Sequence, residues 1–146
     1  MGCLDIMGDI GFIMALFFSA IGSVLGTSAA GMAALGAWKK CYLSDKKAPF
    51  VLVAFAGAPL SQTIYGMILM NAILGAKEAS SVILFSTGLL GGIAIGASAW
   101  LQGRAGALAS DALTESEKGF GNYVMVIGII ETVALFVMVF LMTALK

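Results

Sequence analysis

Long apolar runs alternate with short charged connections along this chain. Four runs are long enough to cross a membrane as helices: Ile10–Trp38, Ala48–Ala76, Ala79–Gly103 and Gly119–Leu145. Within them the only charged residue is Glu131, near the middle of the last run. That run would form ~40 Å of helix at ~1.5 Å of rise per residue, against a hydrocarbon core of ~30 Å. The pattern therefore predicts an all-α membrane protein with four transmembrane helices.

The composition agrees with a membrane protein. Apolar residues make up 60% of the sequence and charged residues 11%, whereas soluble domains contain about 25% charged residues. The formal net charge is zero, and no basic patch is large enough to follow a nucleic acid. We therefore expect lipid and other membrane chains as partners, and no nucleic acid. The absence of histidine from the sequence excludes a histidine-based proton relay.

Short connections between the runs predict two antiparallel hairpins, residues 1–76 and 77–146, within one integral membrane unit. Lys77 and Lys146 lie on one side of the predicted membrane. The first and third connections, on the other side, carry most of the positive charge: Lys39, Lys40, Lys46, Lys47, Arg104 and Lys118. Because positive residues are retained on the cytoplasmic side, we expect both termini of this multi-pass protein on the non-cytoplasmic side of the cell membrane.

The two hairpins resemble each other in sequence. The stretches that align are Gly22-Ser-Val-Leu-Gly-Thr-Ser-Ala and Gly92-Ile-Ala-Ile-Gly-Ala-Ser-Ala. With one residue fewer between the halves, Gln62-Thr63 then aligns with Glu131-Thr132. The sequence therefore predicts a parallel internal repeat in which the first copy has glutamine where the second has the acid.

Small residues recur at helical spacing in the first and third predicted helices. Gly22 and Gly26 lie in the first, and Gly88, Gly92 and Gly96 lie in the third. Such spacing lets helix backbones approach closely in lipid. Two interpretations follow: packing inside a four-helix monomer, or an inner ring of many protomers with the bulkier second and fourth helices outside.

Glu131 is the leading candidate for function. An ionised carboxylate in the middle of a membrane helix is destabilising, so it must be protonated, hold a cation, or face a wet or protein-lined site. Each of these states makes Glu131 a candidate ion-binding residue. The alternative is a polar residue merely tolerated on a packed helix.

Other polar residues are predicted to lie near this acid. Pro59 removes one backbone hydrogen bond from the second helix and frees carbonyl groups there. Gln62 and Tyr65 share a helix face, and Gln102 and Glu131 are equally far from a turn at Ser116–Glu117. Oxygen ligands around a single carboxylate suit a hard monovalent cation. Alternatively, the glutamines and Ser61 only bond across helices.

Three motifs resemble one family. They are Ala58-Pro-Leu-Ser-Gln-Thr-Ile-Tyr-Gly66, Trp100-Leu-Gln-Gly-Arg-Ala-Gly106 and Ile130-Glu-Thr-Val-Ala134. Together they resemble the proteolipid (K or c) subunit of V-type ATPases, in its bacterial sodium-type four-helix form.

The resemblance implies a sodium site of five ligands: the Ala58 carbonyl, the Ser61 hydroxyl, the side chains of Gln62 and Gln102, and the Glu131 carboxylate. It also implies that Tyr65 hydrogen-bonds the acid, and we expect supporting roles for Pro59, Thr63 and Thr132 as well. Ser61 stands where that family usually has threonine, and Ala58 where it has a larger apolar residue.

The resemblance implies a rotor-ring subunit, not an enzyme. Identical chains would form the ring, which would carry Na⁺ past a stationary membrane subunit with an essential arginine and turn with a cytoplasmic central stalk. ATP hydrolysis would occur on other subunits, since no G-x-x-x-x-G-K-[ST] phosphate loop is present. A proton-carrying ring and a small multidrug/proton antiporter are the alternatives. Such antiporters carry their acid in the first helix, whereas this chain carries it in the fourth.

Overall fold

The computed structural model of the chain describes residues 3–76 and 78–145. In this part all regular elements are helical: α1 (Cys3–Leu43), α2 (Leu52–Gly57), a 3-10 turn (Ala58–Leu60), α3 (Ser61–Gly75), α4 (Ser81–Ser116) and α5 (Phe120–Ala144). Four segments are long and apolar enough to cross a membrane: Gly8–Leu43, Leu52–Gly75, Ser81–Ser116 and Phe120–Ala144. The predicted all-α fold with four spans is confirmed. Lys77 and Lys146, used above for orientation, lie outside the described residues.

The third helix extends well beyond the predicted run. That run ended at Gly103 because Arg104 is charged, but α4 continues to Ser116. A charge ends a stretch suited to lipid without ending a helix, and α4 at ~1.5 Å per residue is longer than a ~30 Å hydrocarbon core needs. The helix ends at the predicted turn, where Glu117 (φ 55°) adopts a left-handed conformation, and Gly119 (φ 86°) does so just beyond the turn.

The second span is interrupted at Pro59. The proline lacks an N–H group, so the α-helical ladder stops at Gly57, passes through the 3-10 turn and resumes at Ser61. The Phe55 carbonyl, which would have accepted that missing N–H, lies against Gly106 of α4. The predicted opening of the second helix is therefore present, and it occurs beside the candidate site.

Glycines bring α1 and α4 together as parallel helices. A Cβ atom added to Gly22 would collide with the backbone of Gly96, and one added to Gly103 would collide with that of Gly26. Since both helices belong to one chain, these glycines serve packing within it, as one of the two interpretations proposed.

The helices differ in how much of them is buried. In the most apolar window of α4, 44% of residues are buried, whereas the corresponding value for α5 is 17%. Large apolar side chains of α5 are exposed, among them Met125, Ile129 and Phe140. Helix α4 is therefore central, and α5 presents an apolar surface suited to lipid or a neighbouring chain.

We predict that Gly22→Ala destabilises the chain, because the new methyl group meets the Gly96 backbone and not a flexible side chain. Overpacking of this kind costs roughly 1–3 kcal/mol. The matched control is Gly31→Ala in the same helix, where an added Cβ has no neighbour within 4 Å. Thermal unfolding in detergent, followed by circular dichroism, should show a lower midpoint for Gly22→Ala only. Equal midpoints for the two variants would contradict the close α1–α4 contact.

Candidate ion-binding site

Glu131 is half-buried on α5 and receives two hydrogen bonds from other helices. The Tyr65 hydroxyl on α3 donates to Oε1 at 2.8 Å. The Gln102 side chain on α4 donates from Nε2 to Oε2 at 3.2 Å. Both carboxylate oxygens therefore have a hydrogen-bond partner on another helix.

The two predicted glutamines form a buried pair behind the acid. Gln62 and Gln102 are both fully buried. Gln62 Nε2 donates to Gln102 Oε1 at 2.7 Å, and Gln102 Nε2 also donates to the Ile127 carbonyl at 3.2 Å. A buried carboxamide is costly unless its groups are bonded, so this pair fixes the relative positions of α3, α4 and α5.

The helix break supplies a further group of oxygen atoms. Ser61 Oγ lies 3.1 Å from the Ala58 carbonyl oxygen and 3.1 Å from Gln62 Oε1. Pro59, between these residues, is buried and has no N–H to occupy a nearby acceptor. Ala58, Ser61 and Gln62 therefore place a carbonyl, a hydroxyl and an amide oxygen side by side.

The two threonines predicted as supporting residues are placed differently. Thr132 is exposed, and its hydroxyl donates to the Ile129 carbonyl of its own helix at 2.7 Å. Thr63 is half-buried and, among the residues that the structure describes, makes no hydrogen bond to Glu131. The structure brings neither hydroxyl to the carboxylate.

Ser98 is a contributor that the sequence reasoning missed. Its hydroxyl, on α4, donates to the Ile130 carbonyl of α5 at 2.8 Å, next to Glu131. Ser98 is four residues before Gln102 and therefore on the same face of α4. That spacing was the available signal, but serine is also common as a packing residue in membrane helices.

The donor set suits a small hard cation. Carbonyl, hydroxyl, amide and carboxylate oxygens come from Ala58, Ser61, Gln62, Gln102 and Glu131. Within the described ranges no three Cys, His, Asp or Glu residues cluster, so Glu131 is the one acid of this group. The Gln102 carboxamide presents its N–H group to the acid, while its oxygen accepts from Gln62. These residues fit a monovalent cation better than a transition metal.

Most of the second hairpin matches a known protein family. Residues 85–144 match the family model of the ATP synthase C subunit. This segment is similar to a rotary-ATPase proteolipid. It contains most of α4 and all of α5, including Gln102 and Glu131. No curated protein matches the chain.

The family match and the four spans together support a coarse assignment. Proteolipids of this family assemble into oligomeric rings and are not themselves catalytic. The chain is a multi-pass membrane protein. The match of its second hairpin to this family supports the role of an ion-translocating ring subunit.

We predict that Ser98→Ala lowers the stability of the α4–α5 hairpin by about 0.6–1.5 kcal/mol, because it leaves the Ile130 carbonyl without its interhelical donor. Ser110→Ala is the matched control, since that buried hydroxyl of α4 bonds to the Gly106 carbonyl of its own helix. Thermal unfolding in detergent measures both. The expectation fails if Ser110→Ala destabilises the protein as much as Ser98→Ala.

Proposed function

We propose that this chain is the rotor-ring subunit of a V-type ATPase and that it carries Na⁺ on Glu131. The observation that supports this most directly is a hydrogen-bonded network on one carboxylate in a membrane helix: Tyr65 and Gln102 donate to Glu131, and Gln62 donates to Gln102. Tyr65 and Gln102 position the acid, and the Gln62 oxygen lies beside the Ser61 hydroxyl. A site of this kind can bind a cation, shield its charge from lipid and release it again.

The duplicated hairpin supports the V-type form. The family match covers the second hairpin, and the first hairpin is its sequence repeat, with Gln62 in the position of Glu131. One acid then serves four helices, so fewer ions pass per turn than with one acid per hairpin. Each charge moved through 100 mV corresponds to ~2.3 kcal/mol. A low ratio of ions to ATP favours pumping over ATP synthesis.

The oxygen shell supports Na⁺ over H⁺. A proton carrier requires a carboxyl group and one hydrogen-bond partner, and two fully buried glutamines would add a desolvation cost without benefit. A sodium ion, in contrast, requires several oxygens to replace its water. The cluster formed by Ala58, Ser61 and Gln62 offers such oxygens, and Gln62 is linked to Glu131 through Gln102.

In the proposed mechanism the ring turns against a stationary membrane subunit. Glu131 is half-buried on α5, the least buried span, so a partner's arginine can approach it there and displace the ion. Tyr65 and Gln102 hold the carboxylate while the ion exchanges. ATP hydrolysis takes place on other subunits, and the cytoplasmic connection between α1 and α2 transmits torque from the central stalk.

We predict that Glu131→Gln abolishes ion transport but leaves the ring assembled, because the amide keeps the shape of the side chain and loses its charge. The exposed Glu117→Gln is the matched control. Transport is measured in the reconstituted complex, and assembly by native mass in mild detergent. A mass of two chains would indicate the antiporter. Near-normal pumping by Glu131→Gln would exclude Glu131 as the ion carrier.

We predict that millimolar Na⁺ near neutral pH slows carbodiimide modification of Glu131. The reagent reacts with the protonated carboxyl group, and a carboxylate that holds Na⁺ is not protonated. Potassium should protect little, because it is too large for a compact shell. Mass spectrometry of the labelled protein measures the rate.

Variants of the shell make this measurement specific. Gln62→Leu should raise the Na⁺ concentration for half-protection by about tenfold. The substitution removes one candidate oxygen ligand and the hydrogen bond that Gln62 donates to Gln102. Thr132→Val is the control, because the Thr132 hydroxyl bonds to its own helix. Labelling that is indifferent to Na⁺ in the unmodified protein would identify a proton carrier with the same fold.

A further inference from the structure

Helix α1 carries three hydroxyl groups on its buried side that the proposed mechanism does not use. Ser19 is satisfied, since its hydroxyl donates to the Ala15 carbonyl at 2.7 Å. One turn further on, Ser23 is only 2% exposed. Within the described part of the chain, Ser23 Oγ and Thr27 Oγ1 are buried without a hydrogen-bond partner. A buried hydroxyl without a partner is costly, so its presence requires an explanation.

The packing of α1 against the second span places Ser23 at the depth of Gln62. Gly66 lies against Ser19, and Pro59 lies against Gly26, so the two helices are antiparallel. Ser23 is three residues before Gly26, and Gln62 is three residues after Pro59. Because the helices are antiparallel, both residues lie equally far from the contact between Gly26 and Pro59. Because Ser19 and Gly26 both face the second span, Ser23 between them lies on the same side of α1.

One N–H group of the Gln62 carboxamide has no hydrogen-bond acceptor among the described residues. Its carboxamide is fully buried and carries two N–H groups. The hydrogen bonds within the described residues account for one of them, the donation to Gln102 Oε1. The carboxamide oxygen already faces Ser61 Oγ, on the side of the candidate ligands. The second N–H therefore needs an acceptor elsewhere.

We propose that Ser23 is a positioning residue for the ion site: when the ion is bound, its hydroxyl accepts the second N–H of Gln62. This inference rests on the proposed sodium function. A cation bound to the Gln62 oxygen draws electron density from the carboxamide and strengthens its N–H groups as donors. An acceptor behind the amide then stabilises the bound state more than the free state. Helix α1, otherwise a packing helix, thereby contributes to ion affinity.

The test is the Na⁺ concentration that half-protects Glu131 from carbodiimide in the assembled ring. Ser23→Ala should raise it roughly three- to tenfold, the effect of one hydrogen bond to a ligand group. Ser19→Ala is the matched control, an identical change one turn away at a hydroxyl bonded within its own helix. It should leave the half-protecting concentration unchanged, and native mass confirms the ring in both variants.

A second pair of variants separates positioning from general stability. Ser23→Cys, with a weaker acceptor of similar size, should give a smaller shift and serves if Ser23→Ala does not assemble. In a Gln62→Leu background, Ser23→Ala should produce no further shift, because the group that it holds is gone.

The outcomes distinguish this inference from the function on which it rests. An unmodified ring without Na⁺ protection overturns both. A ring that is protected, and shifted by Gln62→Leu but not by Ser23→Ala or Ser23→Cys, overturns the role of Ser23 alone. An equal shift for Ser19→Ala also overturns it, because the effect would then be one of packing.

Discussion

The cost of a carboxylate inside a membrane governs the arrangement of this protein. Glu131 cannot be surrounded by lipid as a bare charge, so other helices must supply groups that stabilise it. Tyr65 and Gln102 do so directly, and Gln62 does so through Gln102. Each of these groups is itself costly to bury unless bonded, which explains why the network extends across three helices. The acid thus accounts for the two fully buried glutamines of the bundle.

Much of this site could be predicted from the sequence because its causes are local or follow from simple geometry. Pro59 opens its helix wherever it stands, since its ring and missing N–H are intrinsic. Gln102 and Glu131 share a depth because they are equally far from one turn. The family resemblance added Ala58 and Ser61, which the structure places beside Gln62.

The remaining features depend on side-chain direction and packing, which spacing alone does not determine. Thr63 and Thr132 align in the repeat, yet alignment does not say where a hydroxyl points, and Thr132 bonds to its own helix. Ser23 and Ser98 resemble many packing serines, and only their tertiary neighbours distinguish them. Likewise, Arg104 ended an apolar run in the sequence, whereas the hydrogen-bond ladder of α4 continues beyond it.

The close contact between α1 and α4 has a geometric consequence for any assembly of this chain. Glycines let these two backbones touch, whereas α3 and α5 meet through longer side chains such as Tyr65 and Glu131. A unit that is narrow on one side and wide on the other is a wedge, and wedges set side by side follow an arc. The ratio of the two widths sets the radius of that arc. In the proposed ring, the glycines of α1 and α4 therefore help to determine how many copies close the circle.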